Sequence, residues 1–181
     1  MIMAYPDASI FSQWQADVAL GANAKPALVA LTEALANFTP PADRIAWRDD
    51  IHAKEAAYAA PGEIEVVGDV DMAKVIQIFG EMVPDDAMLS SDAGTFGRWL
   101  HRYYRSNAPY TNLGPISGAM GYGVPGAIGA AIADPNRQVY AWVGDGGFLM
   151  TGQEAAAIVQ EELPVKIIVC DNSAWGSIMV H

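Results

Sequence analysis

The sequence predicts an α/β fold, a parallel sheet with helices on both faces that is incomplete at the C-terminus. Three observations predict it. From Asp71 onward, helix-like and strand-like patterns alternate, and that order implies parallel strands covered on both sides. Two apolar runs, "VYAWV" and "KIIVC", each stop just before an acid in a turn-like stretch. Apolar residues make up 52% of the 181 and charged residues only 17%, so the chain can bury a sizeable core.

The elements follow in order. Residues 1–24 are short and mixed and read as the tail of something rather than the start of a domain. "AKPALVALTEALANF" sets Leu28, Leu31 and Leu35 at helical spacing with Pro26 near its start, so a helix is expected there. "DRIAWRDDIHAKEAAYAA" reads as a second, more polar and more exposed helix, and "PGEIEVVG" as a connector. Residues 25–68 are thus expected to be a helical linker region and 69–181 the sheet domain. Asp71 is placed to N-cap "MAKVIQIFGEMV", whose apolar face is read as Val75, Ile76, Phe79 and Met82. "AMLSSDAG" is a short strand running into a glycine turn. "RWLHRYYRS" holds most of the local positive charge, and a solvated helix face is the favoured reading for it and for His101. "SGAMGYGVPGAIGAAIADP" is a small-residue helix ending before Pro135. "RQVYAWVG" is a strand, "TGQEAAAIVQEEL" a helix starting near Thr151, and "VKIIVCD" a strand. Three parallel strands are few for a free-standing domain, so the chain reads as cut at both ends.

Charge and composition exclude several classes. The net charge of -11 argues against binding nucleic acid. Cys170 is the single cysteine, so no internal disulfide forms, which fits a cytoplasmic setting. The N-terminus lacks a basic region and a long apolar run, so no signal peptide is expected. The longest uncharged stretch, Ser106 to Ala133, is too rich in Gly, Pro, Asn and Ser to span a membrane. His52, His101 and His181 do not have the spacing of a metal cluster.

The chemistry concentrates at two strand ends. In open α/β sheets, ligands sit beyond the carboxyl ends of the strands. Asp145 and Asn172 lie at two such ends, and parallel neighbouring strands would bring both to one rim. A carboxylate and an amide oxygen are hard ligands suited to Mg²⁺ or Ca²⁺. Gly144, Gly146 and Gly147 let backbone approach a ligand with no Cβ in the way. The N-terminus of the following helix favours an anion. Metal, helix N-terminus and exposed amides together describe a diphosphate site. Alone, the "GDG" is a weak signal, because Asp-Gly after a strand is a common turn.

"GDGGF", followed at the right distance by "DNSAWGS", resembles the cofactor motif of the thiamine-diphosphate enzymes. The likeness is to the acetolactate synthase-like branch of 2-oxo acid decarboxylases and carboligases. "SGAMGYGVPGAIGAAIADPNRQVYAWVGDGGFLMTGQE" and "LPVKIIVCDN" resemble that branch almost throughout, and most of 65–181 is covered. "ADVALGANAKPALVALTEAL" resembles, more weakly, the end of the family's central domain and the linker after it. The resemblance implies a thiamine-diphosphate-binding fold with thiamine diphosphate and Mg²⁺ as cofactors. It implies Mg²⁺ ligation by the Asp145 carboxylate, the Asn172 amide oxygen and the Ala174 carbonyl. Gly94 and Thr95 of "SDAGTF", with the amides of Gly146 and Gly147, would touch the diphosphate. Gly118 would offer its carbonyl to the aminopyrimidine, and Met120 would be the large apolar residue that bends the cofactor. The usual Asn-Asn is Asp171-Asn172 here, which puts an extra acid beside the metal, and Ser173 and Ala174 stand where glycine is frequent.

The resemblance also implies what is missing. Family members bind the cofactor between two domains, commonly from different subunits, and the activating glutamate belongs to the other domain. Nothing in residues 1–181 resembles that domain, and Glu154 matches a helix position of this one. The expected protein is therefore half a cofactor site, a fragment inactive alone, whose parent is a transferase or lyase acting on a small 2-oxo acid. A homo-oligomer or a complementing chain is the expected partner. Two other readings fit parts of the sequence. "GYGVPG" fits the G-x-G-x-x-G of an NAD(P)-binding dehydrogenase at Gly121, Gly123 and Gly126, but no apolar strand precedes it. A non-catalytic interaction module, associating through the edge strand that ends at Asp171, is the other.

Overall fold

The computed structural model describes residues 1–60, 62, 66 and 68–179. Most of the connector read at 61–68, and His181, lie outside the described residues. The chain divides into two units, Met1–Ala53 and Lys54–His181.

In the first unit, β1 (Ile2–Tyr5) pairs in parallel with β2 (Val18–Gly21), and α1 (Ala24–Ala34) follows. The expected helix is present, but Leu28, Leu31 and Leu35 are all exposed. α2 (Ala42–Ala59) crosses the division and buries no residue, as its polar sequence predicts.

The second unit holds the sheet. α3 (Met72–Met82) is N-capped by Asp71, which accepts from the N–H groups of Ala73 (3.1 Å) and Lys74 (3.2 Å). Its inward face is centred on Ala73, Ile76 and Phe79. Val75 and Met82, expected on that face, are exposed: seven residues apart, they share one side of the helix, turned away from the buried stripe. β3 (Met88–Ser91) is buried along its length. α4 (Gly97–Tyr103) carries the basic stretch. His101 is exposed, whereas Arg102 and Arg105 reach the end of α2: Arg102 donates to the Tyr58 carbonyl (2.7 Å) and Arg105 to Glu55 (2.7 Å).

β4 (Asn112–Leu113) follows, then α5 (Gly123–Ala133), β5 (Val139–Gly144), α6 (Asp145–Thr151), α7 (Ala155–Gln160), β6 (Val165–Cys170) and α8 (Gly176–Met179). The sheet order is β4-β3-β5-β6 and every pair is parallel. Four strands thus stand where three were expected. The fourth contributes two residues, too few to show a period in sequence. α5 begins later than its small-residue run, because Gly118 (φ 66°) and Gly121 (φ 83°) take left-handed turns before it.

Both faces of the sheet are packed. Val139, Ala141 and Val143 of β5 point to one side, with Val124, Ala127 and Ala131 of α5. The alternate residues Tyr140 and Trp142 point to the other, with Ile76 of α3 and Leu100 of α4. Phe79 meets both rings edge-on, at 4.9 and 5.4 Å between centroids. The period-2 split across a doubly covered sheet is the α/β architecture read from the alternation. No helix among the described residues is long and apolar enough to cross a membrane.

Candidate cofactor site

The β5–β6 ladder runs in register from Val139↔Val165 to Gly144↔Cys170. The chains therefore leave the sheet side by side, with Asp145 and Asp171 next on each strand and Asn172 one residue further. A cleft of about 480 Å³ opens at this rim. It brings together seven of the residues singled out in sequence: Gly94, Thr95, Met120, Asp145, Gly146, Asn172 and Ala174. Gly144, the last residue of β5, Gly147, in the first turn of α6, and Gly118, in the turn before α5, do not line it.

The helix at the rim starts earlier than expected. α6 opens at Asp145, with Gly144 in extended backbone as its N-cap, and Thr151 ends it. A 3-10 turn, Gly152–Glu154, then leads into α7. Glycine-rich sequence reads as loop because glycine disfavours helix; packing overrides that here, since Gly147 is buried directly against the Asp92 carboxylate.

Asp92, unrecognised as a site residue, is the hub beneath the cleft. It is 5% exposed and follows β3. Its carboxylate accepts from the N–H groups of Gly121 (3.1 Å) and Gly123 (2.6 Å), and its own N–H donates to the Trp142 carbonyl (3.1 Å). It thereby ties the "SDAG" loop to the turn carrying Met120 and to the first turn of α6. A strand-end acid running into a glycine turn was its signal, of the same kind that marked Asp145.

The loop after β6 is held locally. The Asp171 carboxylate accepts from the Ser173 N–H (2.7 Å) and hydroxyl (3.2 Å), and Asn172 Oδ1 accepts from the Ala174 N–H (3.2 Å). Ser173 sits at φ 52°, a left-handed position that favours glycine. The Ser173 N–H, then its hydroxyl, hold the Asp171 carboxyl below its ordinary value. Among the described residues, no three His, Cys, Asp or Glu side chains converge as a metal site. A cation here would rely on amide and backbone oxygens beside the acids.

Comparison with known proteins decides the family. Residues 92–181 match the family model described as "Thiamine pyrophosphate enzyme, C-terminal TPP binding domain". The chain carries the C-terminal cofactor domain of the thiamine-pyrophosphate enzymes. The acetolactate synthase large subunit of Lactococcus lactis subsp. lactis (strain IL1403) is 36% identical over 115 residues, 61% of this chain and 19% of that protein. Acetolactate synthase isozyme 1 large subunit of Escherichia coli (strain K12) is 38% identical over 109 residues, 59% of this chain and 19% of that one. The thiamine diphosphate-dependent 4-hydroxybenzoylformate decarboxylase of Rhodococcus jostii RHA1 superposes with a TM-score of 0.72 at 25% identity, over 98% of this chain and 32% of that chain. The chain spans about a fifth of the length of these acetolactate synthases. The dinucleotide-binding alternative is not favoured.

Two glycines of the cleft lie tight against aromatic rings. A Cβ at Gly94 would fall 2.6 Å from the Phe96 ring, and one at Gly146 would fall 2.7 Å from the Trp175 ring. Both glycines line the cleft, so its walls are bare backbone backed by an aromatic ring. Neither Phe96 nor Trp175 stood out in sequence as a site residue, because each acts through a contact made only in the fold.

Proposed function

We propose that the thiamine-pyrophosphate domain holds the diphosphate of thiamine diphosphate through Mg²⁺, as part of a cytoplasmic 2-oxo acid decarboxylase or carboligase resembling acetolactate synthase. The single observation that carries this is the in-register exit of β5 and β6, which delivers Asp145 and Asn172 to one cleft. Asp145, Asn172 Oδ1 and the Ala174 carbonyl would hold the ion. All are hard oxygen donors, the class Mg²⁺ prefers. The amides of Gly146 and Gly147 and the bare backbone at Gly94 and Thr95 would receive the anion. Gly118 would hold the aminopyrimidine through its carbonyl, and Met120 would set the cofactor's bend. When bound, thiamine diphosphate supplies the electron sink for an acyl carbanion. This chain's own residues bind and orient. The activating glutamate would come from a further domain, in an oligomer or a complementing chain, so turnover needs more than these residues.

Calorimetry with thiamine diphosphate and Mg²⁺ tests the reading. Binding should require the metal, and Asp145→Ala should weaken it by about tenfold or more, the cost typical of disturbing a metal's ligand set. Equal heats for wild type and variant would rule it out.

A further inference from the structure

We propose that Trp175 is a positioning residue for the cation site: its indole bridges the loop after β6 and the first turn of α6 and sets the spacing between Asp145 and the oxygens of Asn172 and Ala174. This rests on the cation-and-diphosphate reading above and goes beyond it, since it assigns a role to a side chain that is not among the proposed ligands.

The backbone of Trp175 belongs to the loop after β6. It follows Ala174 directly, and its carbonyl accepts from the N–H groups of Ile178 (2.9 Å) and Met179 (3.1 Å), which fixes it at the start of α8. Its ring packs on the other segment, the first turn of α6. It lies against Gly146, the neighbour of Asp145, so closely that a Cβ there would meet Cζ3 at 2.7 Å and both Cε3 and Cη2 at 3.1 Å. One residue therefore touches both candidate ligand segments. Ordinary core packing does not account for the placement: the side chain stays 51% exposed, lines the cleft and joins neither core cluster.

The position matters because the ladder gives out there. The last β5–β6 pair is Gly144↔Cys170, so Asp145 and Asn172 lie beyond the final paired residues. Mg²⁺ demands near-octahedral geometry with short, narrowly distributed oxygen distances. A rigid ring between the loop after β6 and the first turn of α6 supplies the spacing that the ladder no longer sets. It also explains why residue 146 is glycine: any side chain there would push the ring out.

The test is a Mn²⁺ titration of the full chain in the presence of inorganic pyrophosphate, read by calorimetry beside a thermal midpoint for each variant. Trp175→Ala should weaken Mn²⁺ binding about tenfold, the lower end of the range for residues that orient metal ligands, with an unchanged midpoint. Trp175→Phe, which keeps a ring, should recover most of the affinity. Gly146→Ala alone should weaken binding to a similar degree. Added to Trp175→Ala it should cost nothing further, because the ring it displaces is already gone. If Trp175→Ala binds Mn²⁺ as wild type does, or if the two substitutions simply add, the positioning role is wrong while the cation reading stands. If wild type shows no pyrophosphate-dependent Mn²⁺ binding, both readings fall together.

Discussion

α1 and α3 are both eleven residues long with apolar side chains at helical spacing, yet they meet opposite fates. α3 buries Ala73 and Ile76 beneath the Tyr140 and Trp142 face of the sheet. α1 buries nothing, and Leu28 stays 62% exposed. The strands divide in the same way: β3 is buried throughout, while every residue of β2 is exposed. Apolar periodicity selects the element, and burial depends on whether a second apolar surface faces it.

Substitution should break the symmetry between the two helices most sharply. Ile76 is fully buried, so Ile76→Ala should cost about 2–5 kcal/mol by lost transfer energy and cavity formation. Leu31→Ala, at the same kind of helical position but exposed, should stay within about 0.5 kcal/mol. Urea denaturation of both variants measures this. A large loss from Leu31→Ala would mean that α1 packs on a surface after all.

The same contrast recurs at smaller scale within α5. A Cβ at Gly123 would collide with Val143 Cγ1 and approach the Asp92 backbone N and Oδ1 to 3.4 Å, whereas one at Gly129 meets nothing within 4 Å. Gly123→Ala should therefore destabilise by about 1–3 kcal/mol through overpacking. It should also loosen the Asp92 hub. Gly129→Ala should stabilise by roughly 0.5–1 kcal/mol, since alanine loses less entropy in a helix. Thermal unfolding of the pair reads the sign directly, and a destabilised Gly129→Ala would contradict the open space seen there.

These contrasts mark how far the sequence is legible. The α/β alternation, the Asp71 cap, and the delivery of Asp145 and Asn172 to one rim all follow from local pattern and strand-end logic. What escaped depends on tertiary context. β4 needs only Asn112 and Leu113 to pair with β3, which no periodicity reveals. The helical "GDGG" contradicts glycine's own preference and exists because Gly147 packs on Asp92. The Trp175–Gly146 contact joins the loop after β6 to the first turn of α6, so neither stretch announces it. Asp92 is the exception, since it carried a signal of the same kind that singled out Asp145.

The smallest expected effect lies where the packed region meets the rim. Cys170, last residue of β6, is half-buried against the α3–α4 side of the sheet, and burial pushes its thiol up from 9.0 to about 11. A raised folded-state value means that the contribution to stability is complete below the unfolded pKa and is lost as pH climbs through the folded one. For metal-free protein the window is therefore pH 9.0 to about 11. Urea midpoints across it should fall further for wild type than for Cys170→Ala, with titrations elsewhere in the chain cancelling in the difference. At neutral pH the native thiol should alkylate slowly with iodoacetamide and quickly in urea, because the thiolate is the nucleophile. Equal native and denatured rates would show that the rim is as open as the exposed face of α1, and that the cleft's apolar wall is not closed around β6.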